Sequence, residues 1–437
     1  MAPTTATMLP MELDLTPAQR SRAAIAALFG NALEWYDFAV YGYVASDLGT
    51  VFFPADVPGL QTLAAFGVFA VGYLMRPVGS LALGPLGDLL GRRLMLSLSI
   101  VIMGLSSLLI GLLPTHSQIG VAAAIALVLL RMLQGFSVGA EFTGSITYAT
   151  EAAAKGHAGF LSSLAVAGGL LGFSLGSLTA AVIGSLVGEA AMASWGWRVP
   201  FLLGAAVAVL GLWMRRGMPE TLPSATDEPE VHNLAQLGSA IVGRLAQMLQ
   251  QWRLVLLVMA LVSFANMIFY LAFVYLVDLT GQHSGSSAGA NSIATVVQTA
   301  GLLLAILGGY LADRFGMVPV NRWGNLVLIL LAPLGLSIGL QGQLGSLLVA
   351  EVLLVVPVML TMGAQGVLGV VLVPPRQRCA VFSIAYSLAM ALFAGTSPLV
   401  ATWLHDIQLS WLIPLYALPF GAAALVAVSR TRHAGLR

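Results

Sequence analysis

Twelve apolar stretches, each near the length that crosses a bilayer, follow one another along this 437-residue chain with little polar sequence between them. They fall at 23–45, 61–84, 94–113, 120–143, 158–187, 199–214, 254–277, 291–312, 323–342, 347–373, 379–404 and 411–429. Inside lipid, backbone groups must be satisfied by a helix's own bonds or by a closed barrel. Barrel strands are short and alternate in polarity, which these stretches do not. The expectation is an all-α membrane protein of twelve transmembrane helices. Charged residues form only 8% of the chain, against about 25% in soluble domains.

One loop occurs twice. Between stretches two and three the chain reads Gly84-Pro85-Leu86-Gly87-Asp88-Leu89-Leu90-Gly91-Arg92-Arg93, and between eight and nine Gly309-Tyr310-Leu311-Ala312-Asp313-Arg314-Phe315-Gly316. The shared spacing Gly-x-x-x-Asp-x-x-Gly, at equivalent places in the two halves, marks an internal duplication, a common build of secondary transporters. It predicts two pseudo-symmetric six-helix bundles, 23–216 and 254–429. A cytoplasmic segment (1–22), a cytoplasmic linker (217–253) and a cytoplasmic tail (430–437) complete the chain. The linker is polar through Asp227, Glu228 and Glu230, and residues 233–251 have the spacing of an amphipathic helix.

All of the 19 Lys and Arg residues except Arg76, Arg131 and Arg198 fall on one face of this twelve-span layout, Arg215, Arg216, Arg376 and Arg378 among them. The positive-inside rule makes that face cytoplasmic, with both termini on it. Arg198 follows Trp195 and Trp197, as suits an interfacial aromatic belt on the other face. The start of the chain does not have the pattern of a cleaved signal peptide. A single cysteine, Cys379, precludes an internal disulfide.

Ionisable groups at bilayer depth are costly and mark function. Stretch one places Asn31, Glu34, Asp37 and Tyr41 on one helical face. Stretch two carries Arg76, and stretch four carries Arg131, Gln134 and Glu141 along one stripe. A polar network is expected in which Arg131 or Arg76 balances Asp37 or Glu34. An acid that alternates between an arginine and apolar surroundings can load and release a proton. Asp37 is the first candidate carrier and Glu34 the second, with Arg131 holding the deprotonated state or a substrate carboxylate. Glu141 sits closer to the inner end, where it gates or anchors. A static ion-pair network that fixes helix packing is the alternative.

Gly30-Asn31 with Glu34-Trp35-Tyr36-Asp37-Phe38, Arg76-Pro77, Gly87-Asp88 with Gly91-Arg92-Arg93, Gln134-Gly135-Phe136-Ser137 with Glu141-Phe142-Thr143-Gly144, Trp195-Gly196-Trp197-Arg198, and Ser397-Pro398 through Trp403 together resemble the metabolite:proton symporter family of the major facilitator superfamily. The resemblance covers nearly the whole chain. It implies a monomeric, proton-driven importer of the bacterial cytoplasmic membrane that works by alternating access and needs no cofactor beyond the proton gradient. It also implies coupling through Asp37, Arg131 and Glu141, to which the depth of Glu34 adds that acid, and gating through Asp88, Arg92 and Arg93, with Asp313 and Arg314 of the second loop copy as further gating candidates. In the second loop Met317 and Val318 stand where paired basic residues are common, so that latch is expected to be the weaker. No heptad pattern follows the last stretch, so osmotic control through a coiled-coil tail is not expected.

Stretches seven to twelve offer Glu351 as their one ionisable group, so the second half is expected to bind substrate through neutral polar and aromatic side chains. Candidates are Asn266, Tyr270, Tyr275, Gln298, Gln365 and Tyr386, facing Asn31, Tyr41, Arg76, Arg131 and Gln134 of the first half. Two central arginines set against two acids leave little spare positive charge for a tricarboxylate. This favours a small zwitterion or a mono- or dicarboxylate, and aromatic rings suit a quaternary ammonium. Proton-driven antiport and a non-transporting sensor are the competing readings. The six scattered histidines form no metal set, and neither an enzyme's constellation nor a nucleic-acid-binding pattern is present.

Overall fold

The computed structural model describes residues 16–53, 60–216, 249–284 and 287–432, together with 242, 243 and 246. The linker expected at 217–253 and the amphipathic pattern within it lie almost wholly outside the described residues, as do most of the N-terminal segment and of the tail. Twelve long helices follow the apolar stretches. In the first half they are α1 Pro17–Tyr43, α2 Leu60–Leu89, α3 Arg92–Leu112, α4 Val121–Ala152, α5 Ala158–Val187 and α6 Arg198–Arg215. The second half begins with α7 Trp252–Tyr270, which continues through Leu276–Ser284, then α8 Ser287–Phe315, α9 Met317–Gly339 and α10 Leu344–Val371. It ends with α11 Arg378–Ala389, continued by Ser397–Asp406, and α12 Leu418–Arg432. Ten of the spans are by themselves long and apolar enough to cross a membrane. In α1, Glu34, Asp37 and two N-terminal arginines dilute the apolar signal.

Local chemistry sets the ends. Thr16 accepts from the Gln19 amide and Gln19 returns a bond to the Thr16 amide, a capping box with Pro17 in the first turn. Two helices outrun their apolar stretches: α4 continues to Ala152, where Thr147, Thr150 and Glu151 are buried against neighbouring helices, and α7 to Ser284. Wide π-type turns at Leu271–Tyr275 in α7 and Met390–Ala394 in α11 interrupt two of the helices that face the centre from the second half.

Within the first half α1 packs on α5, α2 on α4, and α3 on α6; within the second, α8 and α9 pack on α10. Glycines set the closest crossings. A Cβ at Gly135 would overlap the Gly72 carbonyl, and one at Gly139 the Arg76 carbonyl, so α2 and α4 meet backbone to backbone. The equivalent pair in the second half repeats this, Gly308 against Leu360 and Gly363 against Ala305. The halves meet where α2 touches α11 and where α5 touches α8, two contacts related by the same pseudo-symmetry. Exposed Trp213, Trp252 and Trp323 ring one end of the molecule and Trp195, Trp403 and Trp411 the other, as interfacial belts do. The end carrying both described termini and the exposed Arg93, Arg216, Arg253 and Arg314 is called the basic end below.

Candidate functional site

The repeated loop clamps the halves at the basic end, and its spacing has a residue-by-residue reason. A Cβ on Gly84 would lie 2.9 Å from the Ala380 Cα, so glycine lets the start of α11 approach. Asp88 then accepts the amides of Cys379 at 3.2 Å and Ala380 at 2.8 Å, donors that a helix's first turn leaves free. Gly91, with φ of 106° in the left-handed region, turns the chain into α3. The second copy does the same in the other direction. Gly309 lies against Ser163 of α5, Asp313 accepts the amides of Gly159 at 2.6 Å and Phe160 at 2.7 Å, and Gly316 has φ of 95°. Each half thus caps a helix of the other.

The two clamps differ in charge. Arg92 pairs with Asp88, approaches Glu151 at 3.4 Å and donates to the Pro375 carbonyl at 2.9 Å. Arg378 meets Glu151 from the second half, also at 3.4 Å. All four side chains are buried. Two expected gating residues sit elsewhere: Arg93 is exposed and donates to the Arg216 carbonyl, while Arg314 is exposed and reaches Tyr310 of its own helix. Neither contact crosses between the halves.

Above this clamp, hydroxyls stitch α11 to the first half, with Ser80 meeting Ser387 and Thr143 meeting Ser383, both at 2.6 Å. Next comes a narrow chamber of about 30 Å³, walled by aromatic rings of both halves: Trp35, Phe142 and Phe173 facing Phe269, Tyr270 and Tyr386. No charged side chain lines it. Tyr270 meets Tyr73 of α2 across the interface with oxygens 3.3 Å apart, and Tyr386 donates to Asn266 at 3.2 Å. A smaller compartment of about 10 Å³ lies towards the basic end, sharing Phe142, Val166, Met362 and Tyr386 with the chamber and lined also by Gln365.

The buried charges of the first half surround the Trp35 side of this chamber. Arg76 lies over the rings of Trp35, Phe38 and Tyr73 at 4.5 to 4.7 Å, and Arg131 over Phe38 and Tyr41 at 4.6 and 4.2 Å. Phe38 is therefore held between two guanidinium groups. The expected balance of arginine and carboxylate takes an indirect form. Arg131 donates to the Gln134 amide oxygen at 2.8 Å, Gln134 to Ser107 at 2.8 Å, and Ser107 to Asp37 at 2.5 Å. This directed chain runs from cation to acid, since every donor points towards Asp37. Arg76 forms no ion pair among the described residues, because aromatic faces take the place of a carboxylate, and its Nε and Nη2 have no hydrogen-bond partner there. The indole Nε1 of Trp35 is likewise unpartnered, and so are both carboxyl oxygens of the fully buried Glu34.

Glu141, expected to take part in coupling or to gate or anchor the inner end, ties three helices together. It pairs with Arg215 at 2.5 Å and accepts from Ser99 at 2.5 Å, deep between α3, α4 and α6. Arg215, read from the sequence as a residue of the basic face, turns inward instead, and Arg378 is likewise buried in the clamp. Glycine at position 30 makes room, because a Cβ there would stand 2.7 Å from the Arg215 Nη2. Asn31 bonds to the Ala27 carbonyl of its own helix, Tyr41 stacks under Arg131, and Gln298 on α8 is absent from the chamber walls. Of the named substrate candidates, Asn266, Tyr270 and Tyr386 line the chamber, and Gln365 the smaller compartment. Sequence reasoning missed Glu151, Arg215 and Arg378 as partners. Their one signal was an acid at the end of an unusually long α4.

A family model described as Major Facilitator Superfamily matches residues 23–398. The glycine betaine/proline/ectoine/pipecolic acid transporter OusA of Dickeya dadantii is 33% identical over 402 residues, covering 91% of this chain and 80% of its own. The proline/betaine transporter of Escherichia coli K12 is 32% identical with the same coverage. Among solved structures, the proton:xylose symporter XylE of E. coli bound to 6-bromo-6-deoxy-D-glucose superposes with a TM-score of 0.75 over 96% of each chain at 17% identity, a likeness of fold. The chain belongs to the Major Facilitator Superfamily and, within it, to the metabolite:proton symporter family: it is a multi-pass membrane transporter and not an enzyme.

Proposed function

We infer that the protein imports a small zwitterion, an ammonium carboxylate of the betaine or proline type, together with a proton. The observation that carries this reading is the distribution of unpartnered groups around the chamber. Donors without partners, the indole of Trp35 in the chamber wall and the guanidinium of Arg76 stacked on that ring outside the lining, mark the side where a carboxylate would satisfy them. The remaining walls are aromatic and uncharged, the surroundings that attract an alkylated ammonium. The names of the relatives, betaine, proline, ectoine and pipecolic acid carriers, agree with such a substrate.

Asp37 carries the proton in this reading, and Glu34, buried without a partner, is a second residence for it. Protonating Asp37 removes the negative charge at the end of the Ser107, Gln134 and Arg131 chain and weakens the bond it accepts, which loosens α1 from α3 and α4. The basic end faces the cytoplasm by the positive-inside rule, with both termini there, in a bacterial inner membrane. Asp88 with Arg92, and Asp313 opposite, then act as inner gates that must open for release. Proton and substrate have to favour reorientation jointly, since only differential stabilisation of the two facing states drives it. No cofactor or second subunit enters this cycle.

Purified protein in liposomes containing a pH-sensitive dye tests the reading. Glycine betaine or proline added outside should acidify the interior, while citrate, shikimate and α-ketoglutarate should not. Acidification by a dicarboxylate alone would overturn the zwitterion assignment, and proton efflux on adding substrate outside would indicate antiport.

A further inference from the structure

We propose that Phe38 is the positioning residue that couples proton to substrate: its ring passes the state of Asp37 to Arg76, the donor on the substrate's side. This rests on the roles given to Asp37 and Arg76 above. Phe38 directly follows Asp37 on α1, and its side chain is buried. The Arg131 guanidinium lies 4.6 Å from its ring centre and the Arg76 guanidinium 4.5 Å, so two cations share one aromatic ring. Tyr73 meets the same ring edge to face at 5.4 Å, and its hydroxyl lies 3.3 Å from that of Tyr270 in the second half. Tyr270 is the residue before the π-type turn of α7. The ring thus touches the proton side, the substrate side and the path to the other half.

Arg131 is tied to Asp37 through Gln134 and Ser107, whereas Arg76 keeps two nitrogens without hydrogen-bond partners among the described residues. Ionised Asp37 offsets the charge of Arg131 along that chain. Once Asp37 is protonated the offset is gone, and two like charges face one ring in a site that screens them poorly. A substrate carboxylate at Arg76 relieves that repulsion. Proton and carboxylate therefore favour each other, and equally in both directions, because coupling between binding sites is reciprocal. The other charges that act on the site keep this sign. Glu141 of α4 is already paired with Arg215 of α6, and protonating Glu34, on the same helix as Asp37, also removes a negative charge that acts on Arg76. A side chain without a ring offers no face to either cation, so each guanidinium would settle without regard to the other.

The test measures protons moved per substrate by the full-length protein in liposomes, from radiolabelled glycine betaine or proline uptake and dye acidification on one preparation, so that the folded fraction cancels. Phe38→Leu should lower that ratio about twofold or more while exchange between equal substrate pools persists. Phe38→Met, which keeps much of the volume without a ring, should do the same and serves where the leucine variant does not fold. Phe38→Tyr should hold the wild-type ratio. Slower uptake at an unchanged ratio in Phe38→Leu and Phe38→Met would mark the ring as packing alone and overturn the proposal, as would an equal loss of ratio in Phe38→Tyr. Unaltered protein that carries substrate without moving protons would overturn the symport reading itself and this assignment with it.

Discussion

Arg76 shows how a buried charge can be held without a counter-ion and yet stay available. Its guanidinium rests on three aromatic faces while two of its nitrogens keep unspent donors. Arg76→Lys preserves the charge but loses the planar stack and the paired donors, so KM should rise tenfold or more in uptake assays, with the protein still folded. Asp37→Asn keeps the size of the side chain but cannot carry the proton. It should abolish gradient-driven accumulation while substrate exchange between equal pools persists, and accumulation at the normal level would remove Asp37 from the coupling role. Gly30→Ala should push Arg215 off Glu141 and reduce transport several-fold although no ionisable residue is replaced, a loss readable in uptake and in thermal melting. The acids of α1 were legible in the sequence because a polar face inside an apolar stretch stands out. The pairing of Glu141 with Arg215 was not, since 74 residues separate the partners and an arginine at a helix end looks like any other basic-face residue.

At the scale of elements, the repeated loop was visible as a spacing, and packing supplies the reason for the spacing. Glycine admits a neighbouring helix, aspartate caps it, and a second glycine turns the chain. The sequence also foretold the asymmetry, since Met317 and Val318 leave the second aspartate without the paired arginine that Asp88 has. It could not show which helix each aspartate would cap, because that depends on how the halves dock. Asp88→Asn should therefore destabilise the closed basic end more than Asp313→Asn. The expected outcome is a drop of at least tenfold in transport rate for the first and a smaller one for the second, with a parallel order in melting temperature. Equal effects would mean that the capping bonds, and not the ion pairs, dominate. The π-type turns of α7 and α11 had no sequence signal that propensity could reveal. They begin beside Tyr270 and at Met390, two chamber residues, and so place a deformable turn next to the site in each helix.

For the whole molecule, the twelve apolar stretches carried the fold, because lipid leaves a chain this apolar few other solutions. The chamber was not legible, since it is shared between halves whose docking no local pattern encodes. Charge conservation over a full cycle gives a further prediction. A zwitterion has no net charge, so each turnover with one proton moves one positive charge inward. An inside-negative potential alone should drive accumulation, up to roughly fortyfold at 100 mV with no pH gradient. A one-to-one partnership of proton and monoanion would be indifferent to voltage, and potassium–valinomycin gradients in liposomes separate the two. The clamp offers a way to watch the same cycle directly. Cys379 gives its amide to Asp88, its side chain is buried there, and it is the chain's one cysteine. The wild-type protein therefore carries its own shutter indicator: the rate at which a membrane-permeant maleimide captures that thiol measures how often the basic end stands open, with no engineered label and no background from other sulfhydryls.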